Sequence, residues 1–341
     1  MLSTLLGIAL ITFGAGLSGS FSMPMTKVKG WEWEHSWLTY CAFAYLVFPL
    51  LASALFAPGF TTVLAAQPAD ILLRLFLLGA AYGVANLSFG LSLKYLGLSL
   101  GFSISLGLMM IFGTIIPPAI DGQLAVMLQG KGGMLLIAGL CVAVVGVGIT
   151  ALSGYLKEQN DGANNQDYNL AKGIAAALFV GITGSTQALA IEQGNSIAAA
   201  LVDTGVNPLF QSVPGFIIIY AGSFLATLLW CLFATAKNGK LRLFVQLDGT
   251  KGILRSNYLF CSLAGFLWFI NFVFYGMGKS RMGSFSFTAW GILMSMTIVC
   301  GTLWGIYRGE WKGARKRDKQ TMYLGLLTLI IASFIIGMST N

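Results

Sequence analysis

Two amides, Asn86 and Asn271, are the residues of this sequence best suited to hold a ligand. Each lies in an apolar run, and each is followed eight residues later by a lysine, Lys94 and Lys279 respectively. On a helix rising 1.5 Å per residue, that spacing puts each amide about 12 Å inside the end its lysine marks. Polar side chains at such depth in a bilayer either join helices or line a pathway. A carboxamide both donates and accepts, so a converging pair can hold the hydroxyls of a sugar. Rings stand near both amides: Tyr82 and Phe89 by the first, and Trp268, Phe272, Tyr275 and Trp290 by the second. Aromatic faces suit the C–H side of a sugar ring while a few polar groups take its hydroxyls. A polar run, Thr183, Ser185, Thr186, Gln187, adds one more amide, with Ser18, Ser20 and Ser22 as its rough counterpart near the start of the chain. The expected binding set is therefore Asn86, Asn271, Gln187, Tyr82, Trp268, Tyr275 and Phe89. The competing reading is packing, since interhelical hydrogen bonds in membranes contribute about 0.6 kcal/mol on average.

Other chemistry is scarce. The single histidine is His35, and there is no G-x-S-x-G, P-loop or H-E-x-x-H pattern, so neither catalysis nor ATP hydrolysis is expected. Cys41, Cys141, Cys231, Cys261 and Cys300 show no C-x-x-C spacing and no companion histidines, so no metal, cofactor or disulfide framework is expected. A coupled ion would need a titratable group in its pathway. No carboxylate lies deep in an apolar run, which leaves Glu192, Lys94 and Lys279 as candidates. The two lysines read more simply as anchors whose stems snorkel to the surface.

The elements that must position these residues follow from composition. Charged residues make up 9% of the 341 and hydrophobic residues 56%, against about 25% charged in an ordinary globular protein. Such a chain cannot cover a water-exposed surface. It can form membrane helices, each needing about 20 apolar residues. Ten runs qualify: 2–22, 36–56, 71–93, 98–120, 133–153, 171–191, 209–236, 256–277, 284–306 and 321–339. The first lacks the basic start and cleavage pattern of a signal peptide and is read as a retained span. The 43 glycines suit helices whose backbones approach closely, and Gly97 and Gly101 are read as such a packing pair in the fourth run.

The net charge of +8 could suggest a nucleic-acid partner, but the basic residues sit in loops between apolar runs. Arg74, Lys131, Lys279 and Arg281 fall on one side and the other 16 of the 20 on the opposite side. The positive-inside rule makes the second side cytoplasmic and turns both termini outward. The Asn86–Lys94 pattern recurs 185 residues later, and Gly7-Ile8-Ala9 recurs as Gly173-Ile174-Ala175 at a shift of 166. Two echoes in the same order indicate a doubled unit. Five spans per half would insert the second half upside down, with the binding site near the midplane where the halves meet. The expected organisation is all-α: a first repeat over 1–155, a flexible cytoplasmic linker over 156–169, and a second repeat over 170–341. The tryptophans of Trp31 to Trp37 are read as an interfacial anchor. The basic stretch from Gly309 to Lys319 is read as a contact for anionic lipid headgroups.

Several motifs together resemble the L-rhamnose/proton symporter family of the drug/metabolite transporter superfamily. They are P-x-x-KVK-x-W-x-WE at Pro24 to Glu34, GAAYGVANLSFGLSLKYLGLSLG at Gly79 to Gly101, GVNPL at Gly205 to Leu209, and GFLWFINFVFYGMGKSR at Gly265 to Arg281. The resemblance runs from the first span to the last. It implies a ten-helix bacterial inner-membrane symporter that takes up a 6-deoxyhexose with a proton. Some members carry an acidic residue early in the ninth helix, where this chain reads Ser284-Phe285-Ser286-Phe287. If Ser286 replaces a carboxylate that serves sugar or proton, L-fucose and Na+ become alternatives to L-rhamnose and H+. Two other readings of the residues stand beside a sugar symporter. An exporter of small metabolites or amphipathic compounds suits the aromatic, charge-poor interior, and a non-transporting sensor would have no physical need of an inverted duplication.

Overall fold

The computed structural model describes residues 2–120, 122, 124–161, 168–246, 251–282 and 289–338, and their longer regular elements are all helical. Among the described residues, nine stretches are long and apolar enough to cross a membrane. They are α1 (Leu2–Gly19), α2 (Trp33–Phe56, with a π-helical turn at Phe43–Val47), α3 (Ala69–Ile120), α4 (Gly130–Asp161) and α5 (Leu170–Gln193), followed by α6 (Gly215–Lys237), α7 (Lys251–Arg281), α8 (Ala289–Tyr307) and α9 (Lys316–Met338). Helices satisfy every backbone polar group internally, which is what a hydrocarbon surround demands.

The 52-residue α3 is not straight. At 1.5 Å per residue it would reach about 78 Å, far beyond a hydrocarbon core of about 30 Å. It breaks at Gly97, whose φ of 78° and ψ of 175° suit a residue without a Cβ. The two arms, 69–96 and 98–120, then fold back on each other. The Ser92 and Ser105 hydroxyls lie 2.8 Å apart and the Phe89 and Phe102 rings 5.3 Å apart, whereas a straight helix would hold residues 13 apart about 20 Å from each other. Gly97 is therefore the turn, not a packing residue of the fourth run. Gly101 does pack closely, with Leu93 where its Cβ would stand. The expected spans 71–93 and 98–120 are these two arms.

Glycine also sets the helix crossings. A Cβ on Gly79 would stand 1.8 Å from the Ile219 carbonyl oxygen, and one on Gly222 2.0 Å from that of Phe76. The first arm of α3 and α6 thus touch backbone to backbone, and the Ser223 hydroxyl donates to the Gly79 carbonyl at 2.8 Å. Elsewhere α1 packs on α7 and α8, while α5 packs along both arms of α3. Helix α2 lies against α6 and α7, α8 lies against the second arm, and α4 pairs with α9. Ser3 near the start of α1 donates to the Arg281 carbonyl. Helix α9 runs antiparallel to α4, with Thr150 beside Gly325 and Ile336 beside Gly139. Helix α1 therefore starts and α9 ends at the Lys279 end of the bundle, opposite the Gly97 turn.

Two expectations need correction, those for the linker and for the Trp31 to Trp37 segment. Helix α4 continues to Asp161, so the first part of the polar segment expected as a loop is helical; 162–167 lie outside the described residues. Asn169 then caps α5, its side chain accepting from the Lys172 N–H at 2.9 Å, while its own N–H donates to the Tyr95 carbonyl. The seventh expected span, 209–236, falls within the apolar stretch Pro208–Lys237, which opens with a 3-10 turn at Pro208–Phe210 before α6 proper begins at Gly215. The tryptophans read as an interfacial anchor pack against protein, with Trp31 and Trp33 keeping some exposure. Trp37 is buried, Trp33 stacks on it at 5.0 Å, and both occupy the hollow that Gly90 leaves on the first arm of α3. Trp31 donates to the Leu243 carbonyl, and the His35 ring meets the Lys240 carbonyl at 2.9 Å. These rings bind the two halves of the chain together where lipid contact was expected.

Candidate functional site

Asn271 stands on α7 where α1 passes closest. A Cβ on Gly14 would come within 3.0 Å of the Asn271 carbonyl oxygen, so α1 seals this part of α7 from outside. The Asn271 side chain is 1% exposed. Its Nδ2 donates to the Trp268 carbonyl one turn back, and its Oδ1 is a buried acceptor without a hydrogen-bond partner. Such an atom carries a desolvation cost of about 1–3 kcal/mol unless something donates to it. Across the bundle, on the first arm of α3, Asn86 is likewise buried, with its Nδ2 directed at the Cys41 sulfur 3.6 Å away. Gln187 on α5 donates to the Tyr220 hydroxyl at 3.0 Å.

Rings fix the remaining geometry. The indole of Trp268 meets five aromatic neighbours, Tyr40, Tyr45, Tyr82, Tyr220 and Phe272, at centroid distances of 4.9–6.4 Å. Tyr82 lies nearly parallel to it, with 20° between the planes. So many contacts hold Trp268 in one orientation, where it lines the space at the bundle centre.

These groups surround one cavity. Asn86, Asn271, Gln187, Tyr82, Trp268 and Phe89 all line it, and so do Ser18, Phe21, Phe102, Met109, Leu293 and Thr297. Tyr275 does not. It is buried one turn further along α7, with Phe272 and Trp290 each 6.4 Å away. The free space is about 40 Å³, room for about three waters and too little for a hexose. Toward the Gly97 turn it is closed by Phe21, Phe89 and Phe102, whose centroids lie within 6.5 Å of one another. Beyond that ring cluster, Trp304 donates to Ser20 at 2.7 Å and the Ser103 and Thr302 hydroxyls lie 3.1 Å apart. On the opposite side Trp290 donates to the Met109 carbonyl at 3.4 Å and fills the hollow at Gly113.

The charged candidates sit outside this cavity. Lys279 pairs with Glu192 at 3.0 Å, and the Asn195 amide holds the other Glu192 oxygen at 2.7 Å. Lys94 is exposed at the opposite end, near the turn. Ser284, Phe285, Ser286 and Phe287 lie outside the described residues. No cluster of side chains that could hold a metal is present among the described residues.

The lining residues that sequence reasoning missed are mostly Phe21, Phe102, Met109, Leu293 and Thr297. An apolar residue in an apolar helix carries no mark of which way it faces. Only Phe21, one residue before Ser22, lay beside a segment already marked as polar.

Residues 2–341 match the family model described as L-rhamnose-proton symport protein (RhaT). The L-rhamnose-proton symporter of Klebsiella pneumoniae subsp. pneumoniae is 33% identical over 334 residues, covering 98% of this chain and 97% of that protein. The protein of the same name from Mannheimia succiniciproducens is 32% identical over 337 residues, and that from Cronobacter sakazakii 33% over 339, each covering 98% of both chains.

Proposed function

This chain belongs to the L-rhamnose-proton symport protein (RhaT) family, whose members are transporters and not enzymes, and we propose that it takes up a 6-deoxyhexose together with a cation by alternating access. L-rhamnose is the substrate we favour and H+ the coupling ion, since the similar proteins are named for both. L-fucose and Na+ are the alternatives to exclude by experiment. The exporter reading draws no support from these relatives.

The observation that carries the reading is the cavity lined by two amides from different halves of the chain, Asn86 and Asn271, with Gln187 and the Tyr82 and Trp268 rings beside them. In this reading the amides hold sugar hydroxyls, Gln187 assists, and the rings cover the apolar face. Phe89 belongs to the closure toward the turn, and Tyr275 stands behind the site without lining it.

Packing supports an inverted duplication of 1–155 and 170–341. Exchanging α1 with α5, α2 with α6, the first arm of α3 with α7, its second arm with α8, and α4 with α9 maps the contacts onto one another. The contacts of α1 with α7 and α8 become those of α5 with the two arms, and α2 on α7 becomes α6 on the first arm. The pairs α4–α9, α2–α6 and second arm–α8 map onto themselves, as pairs on a two-fold axis would. Counting the arms of α3 separately gives ten crossings, an even number that suits α1 starting and α9 ending at one end of the bundle. This arrangement also suits the drug/metabolite transporter superfamily. The Lys and Arg distribution puts the Gly97 turn in the cytoplasm and both termini in the periplasm of a bacterial inner membrane. For coupling we retain the Glu192–Lys279 pair at the periplasmic end and read Lys94 as a surface anchor.

Reconstitution into proteoliposomes tests the function. Radiolabelled L-rhamnose should enter faster when the side facing the periplasmic end is acidified, and a protonophore should abolish the acceleration. Uptake driven by a Na+ gradient would replace the ion, preference for L-fucose would replace the sugar, and failure to accumulate any deoxyhexose would end the symporter reading.

A further inference from the structure

The central cavity is not the roomiest polar space in the described structure. At the Lys279 end a second, half-open pocket offers about 300 Å³ of free space, enough for a monosaccharide where the central cavity is not. Its walls come from three places in the chain. Asn195 opens the short helix that follows α5, Gln211 and Ser212 form the approach to α6, and Gly276, Lys279 and Ser280 end α7. The glycine keeps one wall flat, since a Cβ there would stand 3.5 Å from that of Ser212.

The chemistry of the lining is that of a polyol site. Two amides and two hydroxyls supply donors and acceptors. The one cation, Lys279, is already neutralised by Glu192 at 3.0 Å, and the same carboxylate orients Asn195. A pocket of balanced charge with mixed donors and acceptors has no net charge to favour a charged substrate and suits a neutral, hydroxyl-rich ring.

Its position suggests what it would do. Asn271, Tyr275 and Lys279 recur every four residues and share one face of α7. The pocket therefore lies about 12 Å along the helix from the central amide, and Tyr275, immediately before Gly276, falls between the two along that face, buried against Phe272 and Trp290 and lining neither space.

We propose that this pocket is a first binding site for the sugar at the periplasmic end, with the Tyr275 ring as the partition between it and the central cavity. The proposal rests on the sugar-uptake reading above. It assigns Gln211, Ser212 and Asn195 to capture, and it gives Tyr275 a gating place instead of the sugar-facing one expected from sequence.

Labelling of Ser212→Cys with a membrane-impermeant maleimide in intact cells tests it, with the unsubstituted chain as background. The expected result is labelling that L-rhamnose slows several-fold, and slows equally when Asn271→Ala, or Gln187→Ala if the first folds poorly, disables the central site. Protection that disappears with the central substitution would mean that sugar acts only from the centre, and the outer site would fall. So would labelling that sugar never slows while the parent chain still accumulates L-rhamnose. If the parent accumulates no deoxyhexose at all, the uptake reading fails and takes this site with it.

Discussion

The carboxylate of Glu310 closes the start of a helix in the other half of the chain, accepting from both the N–H and the hydroxyl of Ser99 at 2.9 Å each. Its second oxygen accepts from the Leu98 N–H at 2.7 Å. These are the first free donors after the Gly97 turn, where the positive end of the helix dipole favours an anion. Glu310 follows α8, so this contact fastens α8 to the second arm of α3 at the turn end, beyond the Phe21–Phe89–Phe102 closure.

Replacing that carboxylate should loosen this end. Hydrogen bonds to charged groups contribute about 1.5–3 kcal/mol each, and caps about 0.5–2 kcal/mol. Glu310→Ala should lower the melting temperature in detergent clearly, and Glu310→Gln should lower it less, because an amide oxygen still accepts. Equal losses in the two variants, or none, would show that the contact does not hold the turn.

Glycine at the α3–α6 crossing makes a sharper test. With the Ile219 carbonyl oxygen 1.8 Å from the position of a Cβ, Gly79→Ala must push the helices apart. Overpacking costs about 1–3 kcal/mol, and the Ser223 hydrogen bond to Gly79 would go with it. Gly148 on α4 has nothing within 4 Å of a Cβ and serves as control. There alanine should leave stability unchanged or raise it by about 0.5–1 kcal/mol, the helix preference of alanine over glycine. Similar effects at both positions, read from thermal unfolding, would contradict the close crossing.

Acid should weaken one tie between the halves. The Lys240 hydrogen bond, opposed by partial burial and helped by nearby positive charge, holds the Glu32 carboxyl below its ordinary 4.5. A depressed folded-state value means that the stabilisation is present above about pH 4.5 and is lost as pH falls through the lower folded value. Both side chains are about half exposed, at 45% and 49%, so the screened contribution is at most about 1 kcal/mol. Wild type and Lys240→Gln should differ slightly in melting temperature at pH 7 and converge near pH 3. A gap that widens on acidification would reverse the assignment.

At Asn271 the structure separates binding from packing. Its Oδ1 has no partner to lose and its Nδ2 bonds only the Trp268 carbonyl of its own helix, so Asn271→Leu should cost at most about 0.5–1.5 kcal/mol of thermal stability. If a sugar hydroxyl donates to that oxygen, the same change removes about 0.5–1.5 kcal/mol of binding, and the lost shape complementarity adds to it. The expected result is at least a tenfold weaker sugar affinity by isothermal titration, tenfold corresponding to about 1.4 kcal/mol. Unchanged affinity with a large fall in stability would make the amide a structural residue.

Asn86, Asn271 and Gln187 stood out in the sequence because an amide is rare and costly inside an apolar helix. Their helices could be found for the same reason, since about 20 apolar residues are hard to miss. What stayed hidden depends on partners far along the chain. Glu310 reads as one acid in a basic loop until the fold brings Ser99 to it from 211 residues away. Tyr275 lies one turn from Asn271, which suggested a shared site, yet Phe272 and Trp290 stand around it and the cavity ends before reaching it. Trp33 and Trp37 carry the composition of a lipid interface, and only the gap at Gly90 turns them inward.

The ring cluster at the turn end gives the last prediction. Phe21, Phe89 and Phe102 come from α1's end and from both arms of α3, so opening that end must separate them. Phe102 also covers Gly301 on α8, where a Cβ would stand 2.4 Å from its ring. Truncation to alanine would cost about 3–5 kcal/mol and risk the fold, so leucine is the better probe. Phe102→Leu shrinks the plug while keeping an apolar side chain, and should shift the population toward the form open at the turn end. A cysteine placed at Ser18, which lines the cavity, reports this. In inside-out vesicles, Ser18→Cys should react with an impermeant maleimide several-fold faster when combined with Phe102→Leu, and no faster in right-side-out vesicles. Faster labelling from the opposite face would put the closed gate at the Lys279 end instead, and equal labelling would mean that these three rings pack without gating.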